Sequence, residues 1–275
     1  MIRGTTTLIA HVGDPITPVK SPMIYNPFFE RRGIDAVVVP MGVTATDYAG
    51  VFASLFRIQN MRGALVTMPH KVSTVPLVDG CSDAVRLAGS CNAVRRDGST
   101  LYGDLFDGEG FVRGVARKGF RIDGARCLVV GIGGVGSAIA AALAAAGASM
   151  LMLFDQNADN ARRLQQRLRE HYPTLDARSG SRDPAGFDLV VNATPLGMNA
   201  DDPLPIDVDR LSARTFVGEV VMKQEITPLL AAAQQRGCPI QIGTDMLFEQ
   251  IPAYLEFFGL PTTTAEDLRA VARLG

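Results

Sequence analysis

Several residue types that would signal a function class are scarce or missing. Among 275 residues there is no tryptophan, and there are only three histidines and four cysteines. Cys81, Cys91, Cys127 and Cys238 form no C-x-x-C pair and have no histidine close in sequence, so no metal site is expected. Cys127 and Cys238 adjoin apolar runs and read as small core residues. Charge of one sign is also lacking. Twenty-seven basic residues face 28 acidic ones, a formal net charge of −1. No basic field exists to hold nucleic acid or an anionic membrane surface. No stretch reaches the ~18 uninterrupted apolar residues that a spanning helix needs; the alanine-rich run 138–148 is shorter and contains Gly147. Residues Met1 to Thr5 lack the features of a signal peptide. A reducing cytoplasm is the expected compartment.

What is present reads as an α/β protein. Hydrophobic residues make up 47% and charged ones 20%, ordinary for a globular chain. The length allows one large domain or two modest ones. Strands are predicted at 7–11, 36–40, 63–66, 125–130, 149–154, 189–192, 215–220 and 239–242. Helices are predicted at 23–32, 47–59, 135–146, 160–171, 228–236 and 245–258, the last kinked at Pro252. Such alternation predicts parallel sheets. A boundary is expected in 95–110, where Arg-Arg-Asp-Gly-Ser-Thr precedes a Gly- and Asp-rich stretch. The 201–205 segment reads as a loop.

Gly131-Ile132-Gly133-Gly134-Val135-Gly136 fits G-x-G-x-x-G, between an apolar strand and an alanine-rich helix. The first glycine permits the tight turn, the second lets the backbone approach a pyrophosphate, and the third lets helix pack on strand. The helix start then offers free N–H groups to the phosphates. Asp155 lies 19 residues after Gly136, where a carboxylate is expected to bind ribose hydroxyls and repel a 2′-phosphate. No arginine stands beside it. Arg162 and Arg163, further on, read as a solvated helix face. NAD is therefore expected ahead of NADP. Asp155 also reads as an N-cap for the next helix. Asn192, at a strand's carboxyl end, either positions the cofactor through its amide or closes a turn before Pro195.

Six ordered segments bring a family into view. Residues 63–71, with Thr67-Met68-Pro69-His70-Lys71, resemble the Thr-x-Pro-x-Lys segment of shikimate dehydrogenases. Residues 13–16 with Lys20-Ser21-Pro22, then 89–94, 103–110 with Asp107, 192–198 and 243–250 resemble that family's segments in the same order. The resemblance implies an oxidoreductase acting on a cyclic hydroxy acid. It implies an N-terminal α/β substrate domain completed by the C-terminal helices (1–106 plus 243–275) and a Rossmann-type NAD-binding domain with a parallel sheet (107–242). By position it makes Lys71 the proton-transfer residue and Asp107 its partner. Thr67, Asn92, Asp107 and Gln250 would bind substrate hydroxyls, and Ser21 the carboxylate. Met246 would pack near the nicotinamide, and Thr194 and Gly243 fall in matching segments on the cofactor side.

The sequence departs from the family at Val19, where a second serine is usual. It also departs at Leu105 and Phe106, where Asn-Thr is usual, at Met222 in place of a tyrosine, and at Asp155. These changes direct attention to relatives of shikimate, such as quinate or an amino-substituted analogue. Two rival readings are a non-catalytic sensor of NAD and a cyclic acid, and a folate-interconverting dehydrogenase on a similar frame. Retention of Lys71 with Asp107 argues against the first, and Asn92 with Gln250 against the second. The partners expected are a small cyclic hydroxy acid and, as a candidate assembly, a second copy of the chain in a homodimer.

Overall fold

The computed structural model describes residues 2–199 and 201–274. The chain forms two compact units. One comprises the chain up to Phe106 together with the chain from Ile251 onward, the other Asp107–Gln250.

The first unit contains β1 (Thr7–Gly13), α1 (Pro22–Arg32), β2 (Ala36–Gly42), α2 (Tyr48–Leu55), β3 (Met61–Val66), β4 (Gly80–Cys81), α3 (Asp83–Ala88), β5 (Ala93–Asp97) and β6 (Thr100–Asp104). Its sheet runs β2-β1-β3-β5-β6-β4. β1 lies between β2 and β3, parallel to both. Ile9, Ala10 and Val12 are fully buried, as an inner parallel strand covered on both faces requires; His11 interrupts this apolar run. β5 and β6 pair antiparallel, so this sheet is mixed. Arg95, Arg96 and Asp97 look like a loop in the sequence but belong to this hairpin, and the division between the units follows Phe106, within the 95–110 stretch. Arg95 is instead satisfied within the unit. It donates to the Phe257 carbonyl at 2.9 Å, lies 4.8 Å from the Phe257 ring centroid and pairs with Asp97 at 2.8 Å.

The second unit contains α4 (Asp107–Arg117), β7 (Arg126–Val130), α5 (Gly134–Ala145), β8 (Met150–Phe154), α6 (Ala158–His171), β9 (Asp176–Ser179), β10 (Leu189–Asn192), β11 (Phe216–Glu219), α7 (Pro228–Gln235), β12 (Ile240–Gln241) and α8 (Gly243–Phe257). Its strands run β12-β11-β10-β7-β8-β9, every pair parallel. Counted along this unit, that is the Rossmann strand order, which turns back on itself between β7 and β10. Alternate residues feed two cores. Cys127, Val129, Leu151, Leu153 and Val191 join one; Leu128, Val130, Val190 and Val217 join the other. This two-sided burial is why β7 and β10 are continuous apolar runs.

α4 went unread because Gly108, Gly110 and Gly114 depress helix propensity. Packing overrides it: a Cβ on Gly108 would collide with the Ala138 carbonyl of α5, so the absent side chain permits the close approach. α8 passes the division between the units at Gln250 and continues through Pro252 to Phe257. α9 (Ala265–Val271) completes the first unit. No helix among the described residues is long and apolar enough to cross a membrane. No group of three or more His, Cys, Asp or Glu among them is placed to hold a metal.

Candidate active site

The glycine-rich turn leaves the end of β7 at the point where the sheet order reverses. Gly131 has φ +95°, and a Cβ there would press on Thr194 and the Ala193 backbone. A Cβ on Gly136 would collide with the Gly131 carbonyl. α5 begins at Gly134, with Gly133 as its cap and no side chain covering its first N–H groups. Val135, in the first turn, is partly buried. The turn thus presents bare backbone donors at the positive end of a helix, a cradle that fits a pyrophosphate.

Asp155 follows β8 directly. Its Oδ2 accepts from the Ile132 N–H at 2.6 Å. Its Oδ1 accepts from the Asn157 N–H at 2.9 Å and Asn160 Nδ2 at 3.3 Å. The N-cap of α6 is Asn157, which accepts from the Asp159 N–H. The capping role expected of Asp155 therefore belongs to Asn157, because the helix starts at Ala158, three residues later than Asp155. Arg162 and Arg163 are exposed, bonded to Asp159 and Asn160 on their own helix.

At the end of β10, Asn192 closes the turn, the second of its two expected roles. Its Nδ2 donates to the Leu196 carbonyl at 2.9 Å and to both Glu219 oxygens at 3.0 and 3.1 Å. Its Oδ1 accepts from the Thr194 N–H and hydroxyl at 3.1 and 2.6 Å. Both ends of the amide are thus committed inside the protein. Glu219 is fully buried. It also accepts from the Val220 and Val221 N–H groups and from the Thr227 hydroxyl. Burial raises its pKa despite these donors. One carboxylate therefore ties the ends of β10 and β11 to the cap of α7. Gly243 opens α8, and Met246 lies in the core cluster with Phe111 and Ile139.

In the first unit, Thr67 and Lys71 lie beyond β3, both partly buried. The Thr67 N–H donates to the Val12 carbonyl at 2.9 Å, and the Cys91 N–H to the Lys71 carbonyl at 2.8 Å. His70 anchors this turn. It stacks on Tyr48 with ring centroids 4.0 Å apart and its Nε2 donates to the Val43 carbonyl at 2.7 Å. Tyr48 and Thr74 hydroxyls meet at 2.7 Å, and Thr74 donates to the His70 carbonyl. Lys71 is thus a partly exposed residue on a fixed turn. Ser21 precedes α1, and its hydroxyl makes no capping bond. Asn92 is 1% exposed. Its Oδ1 accepts from the Phe106 N–H at 3.0 Å, while its Nδ2 has no partner. Leu105 and Phe106 are buried, Phe106 edge-on to Tyr254 and Phe257. Their apolar character thus serves packing within this unit.

In the second unit, Asp107 is the buried first residue of α4. Gln250 is 8% exposed on α8, and its Oε1 has no partner. Unpaired polar atoms in a buried setting are rare enough to call for a ligand or a water.

Residues 12–94 match the family model described as the shikimate dehydrogenase substrate binding domain. A model described as the ThiF family matches residues 115–164. Shikimate dehydrogenase (NADP(+)) of Geobacter metallireducens is 34% identical over 257 residues, 90% of each chain. The chain belongs to the shikimate dehydrogenase family. It is a dinucleotide-dependent oxidoreductase with a small-molecule substrate, built as an N-terminal substrate domain and a Rossmann domain. Shikimate 5-dehydrogenase of Listeria monocytogenes, solved with shikimate and NAD, has a TM-score of 0.92 to it at 27% identity. That match covers 98% of this chain and 97% of the other. Quinate dehydrogenase of Corynebacterium glutamicum, solved with NAD, gives 0.86 at 27% identity, covering 97% and 98%.

Two residues of this family member escaped the sequence reading. Glu219 lies in the strand predicted at 215–220, but nothing in that segment marks its carboxylate as buried and bonded to Asn192 and Thr227. His11 is one of the three histidines, none of which has an obvious partner by spacing. Its position inside the apolar run of β1, two residues before Gly13, was the available signal.

Proposed function

We propose that the chain is an NAD-preferring dehydrogenase of shikimate or a related cyclic hydroxy acid such as quinate or an amino-substituted analogue. The observation that carries this reading is the buried, unpartnered amide nitrogen Asn92 Nδ2 in the first unit, a donor that suits a ring hydroxyl. Ser21, with its uncommitted hydroxyl, binds the carboxylate, and Thr67 and Asp107 bind further ring hydroxyls.

When bound, the nicotinamide dinucleotide supplies the hydride acceptor for alcohol oxidation. Gly131, Gly133, Gly134 and Gly136 leave room for its pyrophosphate, and the Asp155 carboxylate disfavours a 2′-phosphate. Lys71 Nζ takes the hydroxyl proton, and Asp107 stabilises the resulting ammonium. Neither group need be consumed, since Lys71 returns its proton to solvent after each turnover.

Initial rates with NAD and then NADP, over shikimate, quinate, an amino analogue and unrelated hydroxy acids, test the reading. Turnover of a cyclic acid with NAD preferred is the expected result. Preference for NADP overturns the cofactor assignment, and no turnover of any cyclic acid overturns the function.

A further inference from the structure

His11 is 8% exposed, and its Nδ1 is enclosed without a hydrogen-bond partner. Parallel pairing sets it level with Leu65 of β3. Side chains alternate along strands, so His11, Gly13, Leu65 and Thr67 share one face of the first unit's sheet. The Gly13 position bears this out, because a Cβ there would fall on the Thr67 methyl. His11 therefore lies one step below Thr67 on the same face. Lys71 is near enough for its charge to act on the imidazole. A polar ring set under the proposed substrate residues, in an otherwise apolar strand and with a nitrogen left unpaired, has no account in packing alone.

We propose that His11 is a specificity-determining residue, whose imidazole hydrogen-bonds a ring hydroxyl of the bound cyclic acid directly or through one trapped water. This rests on the function proposed above. Burial, aided by the Lys71 charge, lowers the His11 pKa to about 4. The ring is then neutral at pH 7, with one donor and one acceptor nitrogen. Such a ring matches a hydroxyl and cannot serve as the counter-ion of a carboxylate. The ligand class it selects is a cyclic acid hydroxylated at the position facing β1. A site built around such a bond rejects a substrate lacking the hydroxyl, because the buried polar group is left unpaired.

The test uses the full chain with its dinucleotide, comparing wild type, His11→Val and His11→Gln. The substrates are the preferred cyclic acid and analogues each lacking one ring hydroxyl. His11→Val is expected to lower kcat/KM for the parent acid about ten- to a hundred-fold, chiefly through KM. The KM for the dinucleotide should stay within about two-fold. The wild-type preference for the parent over one particular deoxy analogue should collapse, and His11→Gln should restore part of it. Equal losses on every analogue, or an unchanged kcat/KM in His11→Val, overturn the role of His11 while the dehydrogenase reading stands. Absence of turnover by the wild type overturns both.

Discussion

Asp155 Oδ2 accepts a hydrogen bond from the Ile132 N–H at 2.6 Å. The carboxylate proposed to choose the cofactor thus also pins the glycine-rich turn. With Asn157 and Asn160 on its other oxygen, three donors occupy a group with about four acceptor positions. Its selectivity then comes mainly from its negative charge, with about one position left for a ribose hydroxyl.

Replacing Asp155 with serine is expected to shift the NAD-to-NADP ratio of kcat/KM toward NADP by about ten- to a hundred-fold. Because the turn loses an anchor, the KM for NAD should also rise. Steady-state kinetics with both dinucleotides reads the two effects separately. An unchanged ratio would sink the assignment of Asp155 as selector.

Lys71→Ala is expected to lower kcat about 10²- to 10⁴-fold, the usual worth of a positioned proton-transfer group. Lys71 is partly exposed and its turn is held by His70, Tyr48 and Thr74, so the melting temperature should hardly move. Asp107→Asn keeps the shape of a buried side chain and should lower kcat in the same direction. Full turnover in Lys71→Ala, with dinucleotide binding intact by calorimetry, would remove it from the chemistry.

The sequence disclosed those parts whose signal is local. Gly131 to Gly136 sits between β7 and α5 with fixed spacing to Asp155, and strands with both faces buried leave runs of Val and Leu. The hairpin of β5 and β6 was hidden because its charges are satisfied by residues far along the chain, as in the bond from Arg95 to the Phe257 carbonyl, 162 positions away. Lys71, Asp107, Asn92 and Gln250 were legible only through the ordered resemblance, since each alone reads as a surface, turn or core residue. Glu219 and Asn192 are 27 positions apart, and nothing in either segment names the other.

His11 also makes a prediction independent of activity. Its pKa falls from 6.5 in an unfolded chain to about 4 in the folded one. Between those values the unfolded state binds more protons, so stability drops as the pH falls from 6.5 towards 4 and is fully present above 6.5. The span corresponds to roughly 3 kcal/mol. Urea unfolding of wild type and His11→Val at pH 7, 6, 5 and 4 should show the wild type losing stability more steeply by about that amount. Parallel profiles would mean that His11 is not held neutral.

Glu219 offers the sharpest test of a structural role, because every polar neighbour donates to it. Asn192 Nδ2, the Val220 and Val221 N–H groups and the Thr227 hydroxyl all converge on the two oxygens. Glu219→Ala leaves these donors buried and unmet, and should cost roughly 3 kcal/mol. Glu219→Gln has the right shape, but its amide N–H groups face donors, so a smaller loss of roughly 1–2 kcal/mol is expected. The KM for the dinucleotide should rise in both, since Asn192 no longer holds the turn against which Gly131 packs. The two variants also separate charge from shape through pH. Burial raises the Glu219 pKa above 4.5, so the folded state holds the proton more tightly than the unfolded one. Its contribution is then full below pH 4.5 and declines as pH rises through the raised value. Glu219→Gln should erase that slope while keeping most of the stability at neutral pH. If Glu219→Ala melted at the wild-type temperature, the knot joining β10, β11 and α7 would be dispensable.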